Sequence, residues 1–281
     1  MTIHDLKILF QKELSTIYPK NEIESFYHIL TEFKLGLSRV EKALHPNQII
    51  KKATIPFFEK SISLLKSEKP IQHITEKTEF FGLPFAVNSS VLIPRPETEE
   101  LVQWTLESSN TDTPISILDI GTGSGCIAIA LAKKLPNAQV TGIDVSTAAL
   151  SVAKKNAILN KVAIDFIQKD ILRATKLSKG FDIIISNPPY VREAEKQEIK
   201  KNVLSYEPHS ALFVPDENPL LFYNKIAELA KTYLKPNGQL FFEINQYLGK
   251  ESMRMLAEKG FTSNELRTDI FGNARMTKSR F

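Results

Sequence analysis

The sequence predicts an α/β protein: a doubly wound, mainly parallel sheet with an antiparallel C-terminal hairpin, preceded by a small helical domain. Three observations lead there. Apolar residues recur at helical spacing up to about residue 67, strand and helix patterns alternate after residue 114, and the last two β segments follow one another without a long crossover.

In the first region Leu6, Leu9 and Phe10, then Ile23, Phe26, Tyr27, Leu30 and Phe33, then Ile62 and Leu65 mark the buried faces of short helices. Pro19, Gly36, Pro46 and Pro56 punctuate them, and Asn21 and Asn47 are placed as helix caps. A helical bundle over 1–69 is expected, without strands. Residues 70–95 read as a β-hairpin linker, with Glu79–Phe81 and Phe85–Val87 flanking a turn at Gly82-Leu83-Pro84. Pro94 and Pro96 enforce an extended path before a helix that starts near Glu97.

From 96 to 281 a catalytic domain is expected. Its strands fall at 115–119, 139–143, 163–168, 181–186 and 239–244, with helices at 127–135, 148–159, 219–234 and 250–259. Two final β segments, 262–266 and 274–281, complete the sheet. Phe181–Ser186 is almost wholly apolar, as befits a parallel strand covered on both faces.

Bulk properties exclude several classes. The 281 residues are 42% hydrophobic and 24% charged, and no run approaches the roughly 20 apolar residues of a membrane span. The N-terminus carries acidic residues and has no long apolar run, so it is not a signal peptide. One cysteine, Cys126, precludes an internal disulfide and a cysteine-based zinc cluster; no metal is expected, and a cytoplasmic setting is. Residues 1–80 hold 12 basic and 10 acidic residues, leaving 24 and 22 for the remainder, so the net charge of +4 is shared evenly and marks no nucleic-acid-binding arm.

Two motifs carry chemistry. The first strand ends in Asp119-Ile120-Gly121-Thr122-Gly123-Ser124-Gly125. Glycines at alternating positions let the backbone approach a ligand closely, in a spacing unlike the G-x-G-x-x-G of dinucleotide folds. Asp119 is placed to accept hydrogen bonds from an α-ammonium group, which S-adenosyl-L-methionine has and a nicotinamide dinucleotide lacks. Asp144, closing the second strand, suits both ribose hydroxyls, and Asp170 after the third would lie beside the adenine. Cys126, at the following helix start, is read as a small buried residue.

The fourth strand ends in Asn187-Pro188-Pro189-Tyr190. A planar amide or aromatic amine is a poor nucleophile and must be held with its nitrogen in line with the methyl group. The Asn187 side-chain oxygen and the Pro188 carbonyl supply two N–H acceptors, and Tyr190 a flat face for stacking. These residues serve a protein amide or a nucleobase amine equally.

Further stretches resemble the release-factor glutamine methyltransferase family: Val91-Leu92-Ile93-Pro94-Arg95-Pro96-Glu97-Thr98-Glu99, the preceding Pro70…Gly82…Phe85…Val87, Leu118–Gly125, Asn187–Tyr190, Tyr206-Glu207-Pro208-His209 with Ala211-Leu212, and Asp269…Gly272…Arg275. The resemblance implies N5-methylation of the glutamine in the Gly-Gly-Gln loop of class I peptide chain release factors. It places Gly121–Gly125, Asp144, Ile171 and Asn187 on the cofactor, Asn187, Pro188, Pro189 and Tyr190 on the glutamine, and the helical bundle on the release factor. No membrane and no direct nucleic-acid partner are implied.

Departures occur at Val214–Leu220, where the family has a glycine-rich turn, at Ile244–Tyr247, where it has glycine, and at Ile171, often a larger aromatic. Arg95 and Glu97 either order the mouth of the site or pair with each other; Glu243 reads as a strand-end or ribose-side carboxylate rather than a catalytic acid. An N6-adenine methyltransferase acting on DNA or RNA is the alternative, but it calls for a basic groove the charge pattern does not supply. A binding module without catalysis is disfavoured by the intact motifs.

Overall fold

A computed structural model describes residues 1–109 and 113–281. The chain forms two compact units, Met1–Glu76 with Lys201–Tyr206, and Lys77–Lys200 with Glu207–Phe281. Among the described residues no helix is long and apolar enough to cross a membrane.

The first unit holds α1 (Ile3–Leu14), α2 (Lys20–Leu35), α3 (Arg39–Leu44), α4 (Ile55–Lys66) and α5 (Ile71–Thr75). Leu6, Phe10, Leu30, Phe58 and Leu65 are fully buried in one core. The helix starts differ from expectation. Thr2 and Ser38 cap α1 and α3 in reciprocal boxes with Asp5 and Glu41, whereas Asn21 lies inside α2 behind Pro19. A hydroxyl followed three residues later by an acid satisfies two orphan backbone donors at once, which asparagine alone does not. The later segment Lys201–Tyr206 joins this unit, Tyr206 donating to the Ser67 carbonyl at 3.0 Å.

The second unit opens with a hairpin of β1 (Lys77–Phe80) and β2 (Leu83–Ala86). Its two-residue turn is Phe81-Gly82, both with positive φ (53° and 71°), one position earlier than read from sequence. Proline cannot adopt positive φ, so Pro84 sits in the strand opposite Glu79. The hairpin is anchored within this unit: Asn156 accepts from the Ala86 N–H at 2.7 Å and donates back to its carbonyl, and Asn160 donates to the Pro84 carbonyl.

Then follow α6 (Pro96–Glu107), β3 (Ser116–Ile120), α7 (Cys126–Lys134), β4 (Gln139–Asp144), α8 (Thr147–Asn160), β5 (Asp165–Gln168) and β6 (Phe181–Ser186). After a short β7 (Val191–Arg192), and beyond α9 (Lys201–Tyr206) of the first unit, come β8 (Phe213–Val214), α10 (Leu221–Tyr233), β9 (Leu234–Glu243), α11 (Gly249–Glu258), β10 (Ser263–Thr268) and β11 (Ala274–Arg280). The seven-stranded sheet runs β10-β11-β9-β6-β3-β4-β5, with β11 alone antiparallel to its neighbours. Successive residues face opposite layers. Leu118, Ile120, Ile184, Leu240 and Phe242 pack toward α10 and α11, while Ile117, Ile183, Ile185 and Phe241 pack toward α6 and α7. From β3 the chain winds outward through β4 and β5, then returns to the other side at β6. The carboxyl ends of β3 and β6 therefore flank the switch point where such sheets bind ligands.

Candidate active site

At that switch point lies a cavity of about 320 Å³, within the range of small-ligand sites. The loop after β3 forms one wall. Its shape follows from tight backbone bonding: Gly121 and Thr122 both donate to the Ile143 carbonyl, and Gly125 donates to Thr122 at 2.7 Å. Gly125 has φ +82°, and a Cβ there would lie 3.0 Å from Ile129 and 3.1 Å from Ala153. Gly125→Ala is expected to destabilise the fold by about 2 kcal/mol or more through strain and overpacking, read as a lowered midpoint of urea unfolding.

Asp144, at the end of β4, accepts from Gly123 N–H at 2.9 Å through one oxygen and from Ser146 N–H at 2.9 Å through the other. Each oxygen keeps a lone pair for a ligand, and the residue lines the cavity. Asp170 and Ile171 line it from the end of β5, Ile171 buried at 8% exposure and Asp170 accepting from Leu172 N–H at 2.9 Å. Asn187, Pro188 and Pro189 line it from the end of β6. The structure thus brings Gly121, Thr122, Gly123, Ser124, Asp144, Asp170, Ile171 and the Asn187–Pro189 segment around one space. A carboxylate for a ribose diol, an apolar wall beside it and a glycine loop for close approach fit S-adenosylmethionine.

Three expected site residues do not line the cavity: Gly125, which closes the loop against Ile129 and Ala153 behind the wall, and two side chains. Asp119 is wholly buried and accepts from Thr122 Oγ1 at 2.6 Å, so it braces the loop rather than facing an α-ammonium group. Burial, with Asp144 nearby, pushes its carboxyl up to about 7. It therefore stays protonated in the fold over a range where the unfolded chain, with a value near 3.8, is ionised. The unfolded state binds fewer protons there, so this group's contribution to stability is full below about pH 4 and falls by ~1.4 kcal/mol per pH unit up to about pH 7. Asp119→Asn is expected to remove that slope, measured by unfolding at pH 5 and pH 7.

Tyr190 is the other. It is half-buried against the core, does not line the cavity, and donates its hydroxyl to Glu243 Oε1 at 2.9 Å. Burial and the Glu243 charge hold its phenol well above the ordinary range. Glu243 is 2% exposed at the end of β9; its other oxygen accepts from Thr98 Oγ1 at 2.6 Å, and its backbone carbonyl from Tyr223. Burial raises its carboxyl, opposed by the Thr98 and Tyr190 hydroxyls and by the positive charge of Arg275. Cys126, expected to be buried, is part-exposed and lines the cavity; burial of its sulfur pushes the thiol up to about 12, so it is no nucleophile at neutral pH.

Arg95 pairs with Glu207, not Glu97. Glu207 is buried and also accepts from Ile93 N–H at 2.9 Å, which ties the proline-bracketed segment to Pro208–Ala211 at the rim of the cavity.

Residues 100–209 match the family described as Methyltransferase small domain. Over its whole length the chain is 53% identical to the release factor glutamine methyltransferase of Flavobacterium psychrophilum, with both chains covered completely. The chain belongs to the release factor glutamine methyltransferase family. A second member, from Bacteroides thetaiotaomicron, is 42% identical over 95% of each chain. A methyltransferase from Pyrococcus furiosus shares the fold with a TM-score of 0.53 at 18% identity, over 79% of this chain and 97% of that one.

For a member of this family, three supporting residues escaped the sequence reading. Asn156, wholly buried on α8, donates to the Ser124 carbonyl at 2.9 Å and so links glycine loop and hairpin. Thr98 sits in a quoted motif, but nothing local marks it as a partner of Glu243, 145 residues away. Asn245, at the departure after β9, donates to the Tyr190 carbonyl at 3.0 Å and to Glu195 at 2.9 Å, securing the strand that leaves Tyr190. In the other departure, Phe213–Val214 pairs with β7, and Asp216 accepts from Ala194 N–H.

Proposed function

We infer that this chain transfers a methyl group from S-adenosylmethionine to the side-chain amide nitrogen of the glutamine in the Gly-Gly-Gln motif of class I release factors. The observation that carries the reading is that Asn187 and Pro188 share one cavity with the glycine loop and Asp144, at the carboxyl ends of adjacent strands.

When bound there, S-adenosylmethionine would supply an electrophilic methyl group, and Gly121–Ser124, Asp144, Asp170 and Ile171 would hold it. The Asn187 side-chain oxygen and the Pro188 carbonyl accept the two N–H bonds of the glutamine amide. That arrangement would leave the nitrogen lone pair free for transfer and would stabilise the positive charge that builds on nitrogen. No base has to act before transfer, because the methylated nitrogen gives up its extra proton to water afterwards. Pro189 stiffens the backbone that presents the Pro188 carbonyl. Tyr190 and Arg95 shape the surroundings through Glu243 and Glu207. The helical unit contributes to gripping the release factor, and the setting is cytoplasmic.

The test is incubation of the purified chain with S-adenosylmethionine and an unmethylated release factor, followed by peptide mass spectrometry. One added methyl group on that glutamine, absent with Asn187→Ala, supports the reading. Cofactor binding without methylation of the release factor overturns the substrate assignment and favours a nucleic-acid substrate.

A further inference from the structure

Asn187 has an amide end of each kind, one donor and one acceptor, of similar size. Which end faces the cavity therefore has to be decided by its neighbours. Its Nδ2 lies 3.2 Å from Thr98 Oγ1, and that oxygen lies 2.6 Å from Glu243 Oε2. Thr98 and Glu243 are each 2% exposed; Thr98 touches the edge of the cavity, while Glu243 lies behind it and takes its donors from the protein. The second carboxylate oxygen is already engaged by the Tyr190 hydroxyl.

A hydroxyl has a single proton to give. With that proton committed to the carboxylate, Thr98 faces Asn187 with lone pairs alone. The amide is then satisfied only when its NH2 group points at Thr98 and its oxygen points away. The reversed amide would press two acceptors together in a buried place, an arrangement costly in a low-dielectric interior.

We propose that Thr98 and Glu243 are positioning residues that fix the acceptor end of Asn187 toward the cavity, so that the site receives a reacting group that donates N–H bonds. This rests on the reading of Asn187 given above. Neither the Glu243 carboxylate nor the Tyr190 ring lines the cavity, so their effect on transfer is indirect; Thr98 does line it, and the double variant with Asn187→Ala separates an effect through the amide from a direct one.

The experiment uses the full chain, S-adenosylmethionine and an unmethylated release factor. Thr98→Val removes the hydroxyl at nearly constant shape, and Thr98→Ser retains it. The expected result for Thr98→Val is a kcat lower by roughly 10- to 100-fold, the scale of a small misplacement at the reacting centre, with the calorimetric cofactor Kd changed by less than about threefold. Thr98→Ser should recover kcat to within about threefold of the parent. In an Asn187→Ala background, Thr98→Val should lower kcat no further, because the group it positions is gone. Parental turnover by Thr98→Val, or a full additional loss in the double variant, overturns the inference while leaving the role of Asn187 intact. Parental turnover by Asn187→Ala removes both. Should Thr98→Val not fold, judged by its melting transition, Thr98→Ala replaces it in the same cycle and is read against Thr98→Ser.

Discussion

Asn187→Ala is expected to slow methyl transfer by roughly 100-fold or more while leaving cofactor affinity within about tenfold. The two effects separate because the side chain follows β6 whereas Asp144 closes β4, on the other side of β3, and its oxygen is useful chiefly as charge develops on the substrate nitrogen. In the ground state that oxygen only orients a neutral amide, which contributes about 1 kcal/mol. In the transition state it faces N–H bonds made more acidic by the incoming methyl group. Loss of one such preorganised partner costs about 3–4 kcal/mol in comparable settings. The measurement is single-turnover transfer to an unmethylated release factor, together with calorimetric titration of the cofactor. A rate unchanged from the parent would refute the assignment of Asn187; a cofactor Kd raised a thousandfold would make it a cofactor residue instead.

Much of this was legible in the sequence because it is local. The period of the apolar residues, the proline bracket around Arg95 and the alternating glycines each reflect chain geometry over a few residues. What was not legible depends on contacts between distant segments. Asp119 precedes the glycines by the spacing of a ligand carboxylate, yet it points into the interior because β3 is covered on both faces. Tyr190 adjoins the reacting segment but turns toward Glu243, since a buried carboxylate requires donors and the phenol is within reach. The hairpin at Lys77–Ala86 reads as a linker from its turn residues, and it is side chains distant in sequence, Asn156, Asn160 and Glu99, that fasten it to the sheet domain. Two departures from the family pattern prove structural in consequence: Asn245 supplies bonds that glycine lacks, and Phe213–Val214 adds a short sheet beside the reacting segment.

Asp144→Ala should raise the cofactor Kd by on the order of 100-fold, with a smaller effect on the transfer rate at saturating cofactor. The side chain has two functions that this substitution removes together. Its oxygens hold Gly123 N–H and Ser146 N–H, one fixing the glycine loop and the other the start of α8. Their remaining lone pairs face the cavity, where a ribose offers two hydroxyls. Hydrogen bonds to a charged group contribute about 1.5–3 kcal/mol each, so loss of the pair accounts for the fold-change even after the loop relaxes. Asp144→Asn separates the functions: its amide oxygen retains one acceptor while the NH2 meets either a backbone N–H or a ribose hydroxyl. An intermediate Kd is expected, with the melting temperature lowered less than in Asp144→Ala. Calorimetry of the two variants reads the ligand part, and thermal unfolding without cofactor reads the loop part. If Asp144→Ala lowered stability yet left the Kd unchanged, the carboxylate would be a loop brace like Asp119, and the ribose would have to be held from the side of Asp170 and Ile171.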